Sequence, residues 1–184
     1  MNKTYKQVID ILIRYIILII IALPNLWLFY FIFTPLTIYP VYFLLNLFFD
    51  SSLIGNTILI ENCFPIELIG ACIAGSAYYL LLILNLSMPK IKFQKRFKMM
   101  LLSFTFLLII NVLRIFLLSL MFISGSSLFD ITHRLFWYVG SVVFVMGIWI
   151  AEVKLFNIKE IPFYSDIKFL YDYSYLKKSK SKKC

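Results

Sequence analysis

The sequence predicts an all-α integral membrane protein, a small helical bundle of about four full spans with an interfacial helix and a short extracytoplasmic strand or hairpin segment. Of the 184 residues, 62% are hydrophobic and 15% are charged, and the mean hydropathy is +0.91. Ordinary soluble domains carry about 25% charged residues, and no soluble fold of this length can bury so much apolar surface. The length suits a single membrane domain, residues 1–184, without a separate soluble domain.

The net charge of +9 comes from basic residues that flank the apolar runs. They form an N-terminal head, a short loop and a C-terminal tail, at Lys3, Lys6, Arg14, residues 90–98 and residues 177–183. Basic residues at the ends of spans are typical of cytoplasmic segments. This distribution predicts that the three clusters contact lipid headgroups rather than nucleic acid.

The first apolar run, residues 15–33, is long enough to cross a bilayer at about 1.5 Å per residue. Pro24 lies inside it and predicts a kink. No small-residue cleavage site closes the run, so we expect an uncleaved span rather than a signal peptide. The basic head places the start of this span on the cytoplasmic side.

Residues 36–49 are apolar, but they are too few to span comfortably and are interrupted by Pro40. We expect this segment to form a helix in the outer interface. Residues 53–70 carry the turn signal Gly55-Asn56 between short apolar pairs, and a proline-broken stretch follows. This pattern predicts one or two short strands that cap the outer face.

Three further apolar runs predict the remaining spans, residues 72–88, 99–122 and 134–150. The first of them ends at Pro89, and the short basic loop after it orients both neighbouring spans. The beginning of this span and the loop before the last span then lie on the extracytoplasmic side. Residues 151–184 form a polar, increasingly basic tail that returns to the cytoplasm.

Cys72 begins the second full span and is surrounded by small residues. A thiol at the N-terminal end of a helix lies near the positive pole of the helix dipole, which favours the nucleophilic thiolate. A single cysteine in a membrane helix is more often inert, so the case for catalysis by Cys72 depends on which residues lie near it. Cys63 is the fallback nucleophile, and it could instead form a disulfide with Cys72 on an oxidising face. With Cys184, the three cysteines show no metal-ligand spacing.

The predicted topology brings Arg114 and His133 to the same outer edge as the thiol. An arginine inside a span costs about 2.5–3.5 kcal/mol to insert, so it should face the bundle interior, beside Asn111 one turn away. Arg114 is either a structural cation or a donor to a developing oxyanion. His133, the one histidine of the chain, is either a solvated side chain or a proton carrier for the cysteine. Arg134 could fill that third role instead.

The segments ACIAGSAYY, NVLRI and THRLFWYVG, on successive predicted spans, resemble the exosortase and archaeosortase family of membrane cysteine transpeptidases, most closely its pacearchaeosortase branch. The resemblance covers about residues 36–150. It implies that Cys72 is the nucleophile, Arg114 the substrate-positioning or oxyanion-stabilising cation, and His133 the proton carrier. In the family's commonest pattern, the glycine follows the cysteine one residue sooner than Gly75 follows Cys72 in this sequence.

The resemblance implies a sorting reaction on the extracytoplasmic face of the cell membrane. Its substrates are secreted proteins with a C-terminal tail made of a short motif, an apolar span and a basic end. The cysteine cleaves near the motif through a thioester, which a membrane lipid or another nucleophile resolves, without a metal or organic cofactor. The alternative is a non-enzymatic transmembrane protein, a transporter subunit or assembly factor, that binds an anionic group through Arg114 and His133.

Overall fold

The computed structural model describes residues 3–61, 63–89, 91–158 and 166–171. Of the described residues, 75% are helical, and three short strands form a small sheet. Among the described residues, three helices are long and apolar enough to cross a membrane: Trp27–Asn46, Phe93–Ile123 and Phe129–Leu155. Gly70–Leu86 is a shorter apolar helix. These helices indicate a membrane protein with three candidate spans, and the predicted number of four is not confirmed.

Two helices make up the N-terminal region, α1 (Lys3–Ala22) and α2 (Trp27–Asn46). Pro24 lies between them, and Leu26 has a φ of 59°. The proline removes a backbone donor, and the left-handed residue cannot continue a right-handed helix. The predicted span 15–33 is therefore wrong as a single helix, because the expected kink is a complete break.

The segment predicted to be an interfacial helix, residues 36–49, lies mostly inside α2. Pro35 and Pro40 both fall within this 20-residue helix and do not end it. Val41 and Leu45 are fully buried, and α2 packs along the longest helix of the fold. The apolar burial on this face outweighs the two missing backbone hydrogen bonds, which local sequence patterns could not show.

Three short strands follow α2 and pair antiparallel in chain order: β1 (Ser51–Ile54), β2 (Thr57–Ile60) and β3 (Phe64–Glu67). The turn between the first two passes through Gly55, whose φ of 62° suits a residue without a side chain. Ile58 and Ile60 of the central strand are fully buried against α2 and the helix Phe93–Ile123. The structure therefore has three strands where one or two were predicted, and the first begins at Ser51, before the predicted segment 53–70.

The predicted span 72–88 is interrupted near its beginning. A single helical turn, α3 (Gly70–Ile73), is followed by Ala74 in the left-handed conformation with a φ of 60°. The longer helix α4 (Gly75–Leu86) starts only after this break. The structure therefore separates the cysteine-bearing turn from the main helix, whereas the sequence predicted one continuous helix.

Gly75 permits the close approach of α4 to α2. A Cβ atom at this position would lie 2.8 Å from Cζ of Tyr30, well inside van der Waals contact. Farther along α4, the ring of Tyr78 is fully buried and stacks on Phe33 at a centroid distance of 3.6 Å. The first turn of α4 is thus held against α2 by a backbone-to-ring contact that no other residue type would allow.

The long helix α5 and a helix interrupted by a π-helical turn complete the bundle. α5 begins inside the predicted basic loop 90–98, and the last helix begins before the predicted start of the fourth span. Their elements are α5 (Phe93–Ile123), α6 (Phe129–Leu135), the π-helical turn (Phe136–Gly140) and α7 (Ser141–Leu155). In the predicted tail, residues 151–155 belong to α7 and residues 166–171 are helical. Residues 159–165 and 172–184, with Cys184 and the lysine run, lie outside the described residues.

Two buried arginines bind the C-terminal end of α4. Arg14 donates to the carbonyl oxygens of Leu86 at 2.9 Å and of Met88 at 3.3 Å, and it forms an ion pair with Asp166 at 3.2 Å. Arg96 also donates to the Met88 carbonyl, at 2.7 Å. These bonds satisfy helix-end carbonyls that would otherwise be unpaired, and they fix the end of α4 that lies farthest from Cys72.

Candidate active site

A cavity of about 410 Å³ opens where the sheet meets α3, α5 and α6. Its wall is formed by β3, the break between α3 and α4, the second half of α5, and α6 with the turn after it. Cys72, Arg114 and His133 all line this cavity. The size and the mainly apolar wall with a few polar groups are typical of ligand pockets.

Cys72 lies half-buried in α3, and its main-chain N–H donates to the carbonyl of Ile69 at 2.8 Å. Because Ala74 separates α3 from α4, Cys72 lies one turn before α4 rather than at its beginning. The predicted effect of a long helix dipole on the thiol therefore does not apply as stated. Cys63 and Cys72 are both free thiols, so they form no disulfide, and Cys63 is exposed outside the cavity wall.

Two polar side chains of α5 hold the main chain of Cys72. The Nδ2 atom of Asn111 donates to the Cys72 carbonyl at 2.8 Å, and Nη2 of Arg114 reaches the same oxygen at 3.5 Å. Nε of Arg114 is buried and has no hydrogen-bond partner among the described residues. The guanidinium of this cavity-lining residue therefore has donor capacity that the described residues do not use.

The imidazole of His133 is framed by two aromatic rings that also line the cavity. It stacks on Phe129 with a centroid distance of 5.5 Å and an interplanar angle of 7°. Trp137 meets it edge-on at 6.0 Å and 80°. Both neighbours lie one helical turn away, so α6 and the π-helical turn orient the ring. Arg134 is exposed and is not part of the cavity wall.

The three predicted residues thus share one cavity without being hydrogen-bonded to one another through their side chains. Within the described ranges, no hydrogen bond joins the Cys72 thiol to the His133 imidazole. Catalytic hydrogen bonds often form only when a substrate closes the site. The arrangement offers a nucleophile, a cation with free donors and a titratable ring around a space of ligand size.

Four polar residues of the cavity were not proposed as site residues from the sequence. Glu67 lies exposed at the end of β3, Ser76 lies exposed at the start of α4, and Ser119 and Ser141 come from α5 and the start of α7. The hydroxyls of Ser119 and Ser141 already donate within their helical segments, to the carbonyls of Ile115 and Phe136. The sequence carries no local signal for Glu67 beyond the scarcity of acidic residues, nine in the chain, because its place at the cavity depends on strand pairing.

No family model, curated protein or solved structure matches the chain. Function is therefore inferred from the residues that meet at the cavity.

Proposed function

We propose that the protein is a membrane cysteine protease or transpeptidase of the exosortase and archaeosortase type, acting on C-terminal sorting tails of secreted proteins. The observation that carries this proposal is that Cys72, Arg114 and His133 line a single cavity. They come from three elements, α3, α5 and α6, and are far apart in sequence. A nucleophile, a fixed cation and an acid–base group are the set that acyl transfer needs.

In the proposed reaction, His133 accepts the proton of the Cys72 thiol as Sγ attacks the carbonyl carbon of the scissile peptide bond. The negative charge that develops on the carbonyl oxygen is stabilised by N–H groups of Arg114. When the C–N bond breaks, the imidazolium gives its proton to the leaving amine and a thioester remains on Sγ. A hydroxyl or amine of a lipid or other acceptor then attacks the thioester, passes its proton to His133 and regenerates the thiol.

The position of the cavity suits a substrate that is itself held in the membrane. The site lies at the sheet-bearing end of the bundle, opposite the end of α4 that is bound by Arg14 and Arg96. Basic residues favour the cytoplasm, so the cavity would open on the extracytoplasmic side. A tail with its own apolar span would present its preceding motif at this depth.

The experiment that tests the proposal is coexpression with a secreted protein carrying a tripartite tail, with the mass of the processed product as the readout. Cys72→Ala, Arg114→Ala and His133→Ala are expected to abolish processing while still inserting. Cys63→Ala and Arg134→Ala are the matched controls, and they should retain it. Hydroxylamine added during processing should convert the thioester to a hydroxamate at the product C-terminus. Full cleavage by Cys72→Ala would refute the mechanism.

The competing function is binding of an anionic group without chemistry, and the buried unpartnered Nε of Arg114 favours it. Thiol labelling separates the two functions. A membrane-impermeant alkylating reagent should label Cys72 near neutral pH faster than the more exposed Cys63 if Cys72 is an activated nucleophile. Labelling of Cys72 that is slower than, or equal to, that of Cys63 would support anion binding without chemistry.

A further inference from the structure

The sheet beside the cavity has an open edge along β3. Because β2 is the central strand, β3 has a paired side toward β2 and an outer side. Within the described residues, no main-chain hydrogen bond joins the outer side of β3 to another element. An unpaired edge of this kind is a template for a further strand.

The register shows which peptide groups face outward. The N–H of Leu68 donates to Asn56 across the β2–β3 pairing, and hydrogen-bonded pairs alternate along an antiparallel ladder. Ile66 therefore pairs with Ile58 through main-chain bonds, whereas the N–H and C=O of Glu67 point away from β2. The main chain of Pro65 also faces outward, but proline has no N–H group, so it leaves no unpaired donor at this edge.

This open edge borders the cavity and leads to the cysteine. Five consecutive residues, 65–69, line the cavity, although their side chains alternate between the two faces of the sheet. Because side chains from both faces of the sheet line the cavity, the cavity lies against the edge of β3 rather than on one face. The chain then turns through Ile69, whose carbonyl binds the N–H of Cys72.

We propose that an extended segment of the substrate polypeptide adds to the edge of β3 as a fourth strand, pairing with the main chain of Glu67 beside Cys72. Main-chain pairing supplies affinity that does not depend on side chains, and it holds the peptide extended as it passes the thiol. This inference rests on the proposed function and specifies how its polypeptide substrate is held.

The test uses peptidyl chloromethyl ketones and the full-length protein in vesicles, with Cys63→Ser and Cys184→Ser so that Cys72 is the remaining thiol. Sγ displaces chloride from the probe and the C–S bond replaces the C–Cl bond, so the mass of the labelled protein reports the rate. The probes are an acetylated alanine pentapeptide and five versions, each with one N-methylated amide. N-methylation at alternate positions should slow alkylation roughly two- to tenfold, the value of one hydrogen bond, and the intervening positions should have no effect.

Glu67→Pro removes the outward N–H without breaking the ladder, because proline is tolerated where its nitrogen faces an open edge. In this variant the unmethylated probe should alkylate Cys72 roughly two- to tenfold more slowly, because the peptide carbonyl opposite residue 67 loses its donor, whereas Glu67→Ala, which loses only the carboxylate, should react at the rate of the parent protein. Ser51→Pro, on the far edge of the sheet, is the matched control and should also react at the parent rate. Iodoacetamide labels Cys72 without strand pairing and reports whether the site is intact in each variant.

Two outcomes overturn different statements. Alkylation of Cys72 at one rate by all six probes would refute strand addition and leave the cysteine chemistry standing. A Cys72 that reacts with neither chloromethyl ketone nor iodoacetamide would contradict the proposed function and strand addition together.

Discussion

The side-chain amide of Asn111 donates a hydrogen bond of 2.8 Å to the main-chain carbonyl of Cys72. Asn111 is only 3% exposed, so the bond lies in an interior where water does not compete for it. Since Cys72 belongs to a single helical turn that ends at Ala74, this bond ties the turn to the long helix α5. The asparagine therefore positions the cysteine turn through its main chain.

Replacement of Asn111 by leucine should therefore lower both stability and processing of a tailed substrate. The Cys72 carbonyl loses its best donor, and an unsatisfied buried polar group costs about 1–3 kcal/mol of unfolding free energy. Thermal unfolding in detergent and product mass measure the two effects. Thr105→Ala, at an exposed α5 residue whose hydroxyl bonds within the helix to Leu101, should change neither. Wild-type behaviour of Asn111→Leu would show that the bond has no positioning role.

Arg114 should matter for rate more than for substrate affinity. Loss of an oxyanion donor typically lowers kcat by roughly 100- to 1,000-fold, so Arg114→Ala should reduce the processing rate by this order. Arg114→Lys should recover only part of it, because a lysine cannot reach the Cys72 carbonyl and the substrate oxygen with one planar fork. Single-turnover rates at saturating substrate provide the measurement. A change confined to KM would assign Arg114 to binding alone.

Gly75 and Gly147 offer a matched pair of helical glycines. A Cβ at Gly75 would lie 2.8 Å from Tyr30, whereas nothing lies within 4 Å at Gly147. Gly75→Ala should cost about 1–3 kcal/mol through overpacking, and Gly147→Ala should be neutral or stabilise by up to about 1 kcal/mol. Chemical unfolding in mixed micelles measures both. Adding Tyr30→Leu to Gly75→Ala should restore part of the loss, and a stable Gly75→Ala single variant would disprove the tight contact.

Arg14 should be required for stability and not for chemistry. Arg14→Met removes the ion-pair partner of the buried Asp166 carboxylate and the donors to Leu86 and Met88. Breaking a buried ion pair from one side costs about 3–5 kcal/mol, whereas replacing both partners by apolar residues is much less costly. Arg14→Met with Asp166→Leu should therefore unfold at a higher denaturant concentration than Arg14→Met alone. Equal midpoints would show that a buried Asp166 without Arg14 costs no stability, and iodoacetamide labelling of Cys72 should be the same in all three proteins.

Membrane class was predictable because it depends on composition, and the hydrophobic share and sparse charges are present in the chain whatever its fold. The turn at Gly55 was also local, since a glycine-asparagine pair favours a hairpin through its own backbone. The residue types of the candidate site could be proposed for a similar reason. A cysteine, an arginine inside an apolar run and a single histidine are unusual wherever they lie.

The helix limits were less predictable, because burial decided them against local preference. Two prolines did not end α2, since Val41 and Leu45 pack into the core, whereas the left-handed residues after Pro24 did end α1. Ala74 likewise broke a run that reads as a continuous apolar helix. At each position the outcome depends on contacts with another element, such as Tyr30 against Gly75.

By itself, then, the sequence determined the membrane class and which residue types are unusual for such a chain, because both follow from residue identity. Only the tertiary structure decided that Cys72, Arg114 and His133 border one cavity, that Asn111 holds the cysteine turn, and that β3 exposes an edge there. The bond between Asn111 and Cys72, for example, joins residues 39 positions apart. These relationships exist only once apolar packing has fixed how the helices and strands meet.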